Sequence, residues 1–91
     1  MDDFEKLEKK LMKNPAFRKE YEATRVEFEI ALAVIRARIE KGLTQKQLAE
    51  KLKTRQSVIS RVENAKTVPS LSFLKRLAQV LGASLQVQFK V

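Results

Sequence analysis

Thr44-Gln-Lys-Gln-Leu-Ala-Glu-Lys-Leu52, followed after a single residue by Thr54-Arg-Gln-Ser-Val-Ile-Ser-Arg-Val-Glu-Asn64, decides how the rest of this 91-residue chain is read. Thr44 and Gln47 have the spacing of a capping box, in which the Thr oxygen accepts the third backbone N–H and the Gln side chain returns to the N–H of the cap. A helix is therefore predicted from Gln45, with Leu48, Ala49 and Leu52 as a narrow apolar stripe. Thr54 is a candidate cap for a second helix, from Arg55 to about Glu63, with Ile59 and Val62 facing inward and Val58 at the edge. The opposite face of that helix then carries Arg55, Gln56, Ser57, Ser60, Arg61 and Asn64, which can all hydrogen-bond and include no acid.

On the N-terminal side, Phe4, Leu7, Leu11 and Met12 recur at helical spacing and predict a short amphipathic helix over residues 3–13. Asn14-Pro15 ends it and starts the next, since Asn is a favoured cap and Pro is tolerated at the first helical position. That next helix is expected to run unbroken to Gly42, with Phe17, Tyr21, Thr24, Phe28, Ala31, Ile35 and Ile39 as one stripe. Gly42 suits a left-handed closing position. On the C-terminal side, residues 64–70 read as a loop, and Ser70 caps a helix carrying Leu74, Leu77, Ala78 and Leu81 that ends at Gly82. The tail from Leu85 to Val91 alternates apolar and polar, the period of a half-buried strand. A lone strand needs a ladder partner from another chain, either the same tail in a dimer or a different protein; otherwise the segment is a frayed terminus. The expected architecture is all-α with a short C-terminal β-strand: a helical extension over residues 1–33, a unit over 34–82 and the strand over 83–91.

Composition narrows the chemistry. There is neither Cys nor His, which removes disulfides, thiolate chemistry, the commonest transition-metal ligands and the usual general base near neutral pH. No enzyme, cofactor or metal is expected. The longest apolar run, Ile30 to Ile35, is far short of the about 20 residues that cross a bilayer, and the acidic start Met1-Asp-Asp3 does not read as a signal peptide. No membrane association is expected, and a cytoplasmic location follows. The net charge of +8 is unevenly placed: residues 1–40 carry nine Lys/Arg and nine Asp/Glu, whereas residues 41–91 carry ten Lys/Arg against Glu50 and Glu63 alone. A field of one sign on half a small protein is the footprint of polyanion binding, or else a solubilising surface.

Two short helices joined by a tight turn, flanked by further helices and coincident with the basic half, form a helix-turn-helix pattern. Gln pairs bidentately with adenine, Arg with guanine, and Ser with several base edges, each good pair worth roughly 1–3 kcal/mol of discrimination. The elements T-Q-x-x-L-A, Q-S-x-I-S-x-x-E-N and P-S-x-x-x-L-x-x-L-A-x-x-L-G occur in order over residues 36–82, and by them the chain resembles the Cro/C1-type (XRE) repressor family, whose DNA-binding domain is lambda repressor-like. The resemblance implies a sequence-specific transcriptional repressor in which Gln56, Ser57, Ser60 and Arg61 read bases, with Arg55 at the groove entrance. It implies DNA-backbone contacts from Arg38, Thr44, Gln45, Asn64 and Lys66, and treats Glu63 as structural. Many members have Gly where this chain has Lys53 and Ala65. A non-Gly residue in a left-handed conformation costs about 1 kcal/mol, so some strain in the turn is expected.

One reading helix covers only a few base pairs, so a homodimer on an inverted-repeat operator is expected, its half-sites one turn or roughly 34 Å apart. The Asn14-Pro-Ala-Phe-Arg-Lys-Glu-Tyr21 segment, the long helix and the terminal strand also resemble HigA-type antitoxins of toxin–antitoxin operons. That resemblance implies a RelE/HigB-type toxin as partner and autoregulation of the promoter. The alternatives are a stand-alone XRE-family repressor without a toxin and a basic protein-binding adaptor. Residues 1–33 would bind a partner, extend a dimer interface or complete the fold.

Overall fold

The computed structural model describes residues 3–91, the side chains of Phe4 and Glu8 excepted, so Phe4's place in the apolar stripe lies outside the described residues. Six helices follow in chain order: α1 (Asp3–Met12), α2 (Pro15–Ala23), α3 (Arg25–Glu40), α4 (Gln45–Leu52), α5 (Gln56–Glu63) and α6 (Leu71–Leu81). One core gathers Val34 of α3, Leu48, Ala49 and Leu52 of α4, Ile59 and Val62 of α5, and Leu77 and Leu81 of α6. Leu48, Leu52 and Ile59 are its largest fully buried side chains, each worth roughly 1.5–3 kcal/mol in burial. Half-buried Ile30, Ala37, Leu43, Phe73, Leu74 and Val80 close its edges. Helices of eight residues are not stable alone, so α4 and α5 exist because both press their stripes into this core.

Four helix ends close in the same way. Gly42, Lys53, Ala65 and Gly82 each take a positive φ, of 67°, 57°, 56° and 63°. The amide of the following residue then donates back to a carbonyl five residues earlier: Leu43 to Arg38 at 3.1 Å, Thr54 to Ala49 at 2.9 Å, Lys66 to Arg61 at 2.9 Å and Ala83 to Ala78 at 2.8 Å. This geometry satisfies carbonyls that the helix leaves orphaned. The strain expected at Lys53 and Ala65 is present at both.

Three sequence expectations need correction. The long second helix breaks at Thr24, whose φ of −123° and ψ of 25° are not helical. Thr24 Oγ1 donates to the Glu20 carbonyl at 2.8 Å, and the break brings Phe28 of α3 back onto two rings of α2: its centroid lies 6.1 Å from Phe17 and 5.5 Å from Tyr21, while Phe17 and Tyr21, one turn apart on α2, are 6.2 Å from each other. Eleven residues of unbroken helix would span about 16 Å, so clustering the aromatics requires the bend. The buried stripe of α3 is accordingly Ala31 and Val34. Ile39, placed inward by the continuous-helix reading, is 62% exposed.

Secondly, α5 starts at Gln56 with Arg55 in the capping position and no side-chain cap, so Thr54 does not cap it. The Thr54 amide instead closes α4. Thirdly, residues 83–91 form no strand. Every other described element is a helix, so within the chain the tail has no ladder to join, and alternation alone does not make a strand. The fold is all-α among the described residues. Helix α3 runs through residue 33, so the N-terminal extension and the following unit share one helix.

Candidate nucleic-acid interface

The capping box at Thr44 forms in both directions: Thr44 Oγ1 accepts the Gln47 amide at 3.0 Å and the Thr44 amide donates to Gln47 Oε1 at 2.9 Å. This sets the start of α4, and the closure at Lys53 sets its end. Only Lys53 to Arg55 then separate α4 from α5, which pack closely on each other, while α5 also rests on α3. From Gln56 to Glu63, Ile59, Val62 and Glu63 are buried. Arg55, Gln56, Ser57, Arg61, Asn64 and Lys66 are exposed and Ser60 is half-buried. The outward face of α5 is therefore polar or basic throughout, because the one carboxylate of the helix turns inward. Asn64 Nδ2 donates to the Ser60 carbonyl at 2.8 Å and to Ser60 Oγ at 3.2 Å, which leaves the Ser60 hydroxyl hydrogen free to point away from Asn64.

Behind this face lies a polar network that local patterns do not reveal. Arg38 donates from Nε to Glu63 Oε2 at 2.7 Å, from Nη2 to Glu63 Oε1 at 3.0 Å and from Nη1 to the Leu43 carbonyl at 2.8 Å. Gln45 Nε2 adds a third hydrogen bond to the same carboxylate, at 3.1 Å to Oε1. The Glu63 side chain is only 4% exposed and that of Arg38 16%. A buried carboxylate is tolerated when its oxygens are matched in this way. The hydrogen bonds from Arg38 to Glu63, more than the attraction between the charges, hold the guanidinium above its ordinary pKa despite burial, so Arg38 stays charged wherever the protein is folded.

Of the residues that the resemblance assigns to the DNA backbone, Thr44, Asn64 and Lys66 are exposed, whereas Arg38 and Gln45 are half-buried and engaged with Glu63. Their role in this structure is to join α3, α4 and α5. The signal that could have found the network is Glu63 itself, one of two acids after residue 41 and four positions beyond the fully buried Ile59. A further contact had no such signal: Arg76 Nη2 donates to the Leu52 carbonyl, so α6 grips the last turn of α4 beside the Lys53 closure.

The comparisons agree with this geometry. The family model described as Helix-turn-helix matches residues 34–88. Among curated proteins, the chain is 37% identical to multiprotein-bridging factor 1c of Arabidopsis thaliana and 40% identical to multiprotein-bridging factor 1b of the same plant, each over 62 residues. It is 34% identical over the same length to endothelial differentiation-related factor 1 of Rattus norvegicus. These alignments cover 68% of this chain and 42%, 44% and 42% of those proteins, so the chain matches about two-fifths of its curated relatives. Their names are those of bridging and differentiation-related factors, not of HigA-type antitoxins. No solved structure gave a significant match. Among the described residues no helix is long and apolar enough to cross a membrane. With its closed turn, inward glutamate and open polar face on α5, the chain belongs to the helix-turn-helix family, of the Cro/C1-like kind.

Proposed function

We propose that this chain is a double-stranded-DNA-binding module of a transcription regulator, with α5 laid in the major groove. Gln56, Ser57 and Arg61 contact base edges, with Ser60 and Arg55 at the margins of the site; Thr44, Asn64 and Lys66 meet the phosphate backbone. The observation that carries the reading is the face of α5, exposed and free of carboxylate, on a helix whose opposite side is locked into the core. Arg38 and Gln45 act through Glu63 by seating that helix. The charge excess of the second half adds an electrostatic contribution, so affinity falls steeply with salt.

Selection of duplexes from a random pool, followed by titration of the winning sequence and a scrambled one, tests this. Arg61→Ala is expected to lose roughly 5- to 150-fold on the selected duplex and little on the scrambled one. Lys66→Ala is expected to weaken both alike and to lower the salt slope by about one. Failure to enrich any sequence, or equal losses on both duplexes from Arg61→Ala, overturns base reading.

The names of the relatives favour a second role, that of an adaptor which joins DNA to another protein. Leu7 and Leu11, exposed on α1, supply an apolar face outside the DNA-reading unit to which a protein could bind. The HigA-type reading, with a RelE/HigB-like toxin, rests on the sequence resemblance alone, and we propose the adaptor in its place.

A further inference from the structure

We propose that the elbow between α1 and α2 docks an acidic amphipathic helix of a second protein, whose carboxylates meet the elbow's lysines and whose apolar row lies along Leu7 and Leu11. The inference rests on the adaptor reading and gives its partner a chemistry. The first forty residues are neutral only as a sum. Residues 9–19 hold Lys9, Lys10, Lys13, Arg18 and Lys19 and no acid, whereas residues 1–8 hold four acids against Lys6, and residues 20–40 five against three Arg. Lys6 and the five cations of the elbow are all exposed. Arg18 pairs with Glu22 on its own helix, and the lysines make no ion pair among the described residues. Lys6 with Lys10 and Lys9 with Lys13 are like charges four residues apart, an arrangement that weakens a helix until an anion lies against it. The elbow itself is fixed: the Asn14 amide donates to the Leu11 carbonyl at 3.0 Å, and Asn14 Oδ1 accepts the Ala16 and Phe17 amides at 3.0 and 3.3 Å.

Helical spacing sorts these side chains into rows. Leu7 and Leu11 are one turn apart, Lys6 and Lys10 form the adjoining row, and Lys9 and Lys13 the next. Leu7 is 53% and Leu11 39% exposed, so an open apolar row borders an open basic one. A nucleic-acid backbone matches the cations and leaves the leucines in water. A bilayer surface matches both, but the two leucines together expose no more than about the area of one, and an interfacial helix holds by the apolar area it inserts. A partner helix needs less, because it brings an apolar row of its own and buries area on both sides of the contact. Its Leu or Phe side chains, one turn apart, lie along Leu7 and Leu11, and Asp or Glu in its neighbouring row reach Lys6, Lys10 and Lys13. The charges set the partner's sign and speed its approach, so binding weakens as salt is added.

The probe is a labelled amphipathic peptide with Leu one turn apart and Glu between, set against a twin with Lys for every Glu, both titrated with the full chain by fluorescence anisotropy. The acidic peptide is expected to bind with a Kd on the order of 10 µM, and its twin at least about tenfold more weakly. Lys10→Glu with Lys13→Glu is expected to cost at least about tenfold, and Leu7→Asn about fivefold. Leu7→Met, which keeps the apolar row, is expected to bind as the wild type does, and every variant to keep its helical circular dichroism. Arg61→Ala with Lys66→Ala, on the DNA-reading side, is expected to leave the peptide's affinity unchanged, just as the Lys10→Glu, Lys13→Glu pair leaves that of a selected duplex. Peptide binding that falls with Arg61→Ala and Lys66→Ala but not with the elbow variants overturns the proposal. So does weaker duplex binding by the elbow variants, which assigns the lysines to DNA, or Leu7-dependent sedimentation with phosphatidylserine vesicles by a chain that ignores the peptide, which assigns them to a membrane. Leu7-dependent binding of the Lys twin alone rejects the acidic partner and keeps the adaptor, whereas binding of neither peptide removes Leu7 and Leu11 as the adaptor's face as well. Base reading by α5, measured on duplexes through Arg61→Ala, stands or falls separately.

Discussion

Helices α4 and α5 are shorter than α1 and α2 yet more tightly held. Each of the former has eight residues, buries three of them and ends in a left-handed closure. Each of the latter has nine or ten, and α2 buries none; it relies on its half-buried rings against Phe28. Charge divides along the same line, with the chain's whole excess of +8 after residue 40. Helix length is therefore a poor guide to rigidity in this protein. What decides it is how much of each helix the core takes in: α4 packs on α5 and α6, and α5 on α4 and α3, with three buried residues each, while α2, between α1 and α3, buries none.

The largest effect that separates the two regions is expected from Arg38→Ala. It leaves the Glu63 carboxylate buried without its cation, and a loss of about 3–5 kcal/mol is expected in denaturant titration. Replacing both partners by apolar residues, as in Arg38→Met with Glu63→Leu, is expected to recover most of that stability while weakening DNA binding, because the seat of α5 changes. Leu48→Ala, at a fully buried site, is expected to cost about 2–5 kcal/mol. Tyr21→Ala, in the half-buried aromatic cluster, is expected to cost less, about 1–2 kcal/mol, and to leave binding of a selected duplex unchanged. A Tyr21→Ala loss matching that of Leu48→Ala would erase the distinction between the regions.

Smaller changes sharpen it. Lys53→Gly and Ala65→Gly relieve left-handed strain where the backbone already has the conformation that Gly prefers, and a gain of up to about 1 kcal/mol each is expected in thermal melts. Breaking the exposed Arg18–Glu22 pair, 3.4 Å apart on α2, is expected to change stability by less than about 0.5 kcal/mol.

Which of these features the sequence discloses follows from how local their causes are. The capping box at Thr44, the Asn14-Pro15 junction, the Ser70 cap and the closures at Gly42 and Gly82 depend on neighbours within a few residues, and all were legible. So was the outward face of α5, since Ile59 and Val62 fix its phase. The break at Thr24 was not, because Thr is neither Pro nor Gly and the bend comes from three rings meeting across it. The Arg38–Glu63 pair spans 25 residues of chain, and no periodicity announces it. The tail misled for the complementary reason: its alternation is a local signal, but a strand is a relation between two segments.

The reach of one guanidinium has a last consequence, for how little of the molecule can be cut away. Arg38 touches the carbonyl that begins the approach to α4 and the carboxylate that ends α5, and Val34, one turn before it, forms a wall of the core. A synthetic peptide of residues 43–64 is therefore no miniature of the protein. It retains the residues proposed to read bases but lacks the α3 scaffold that aims them, so the smallest portable reader includes α3.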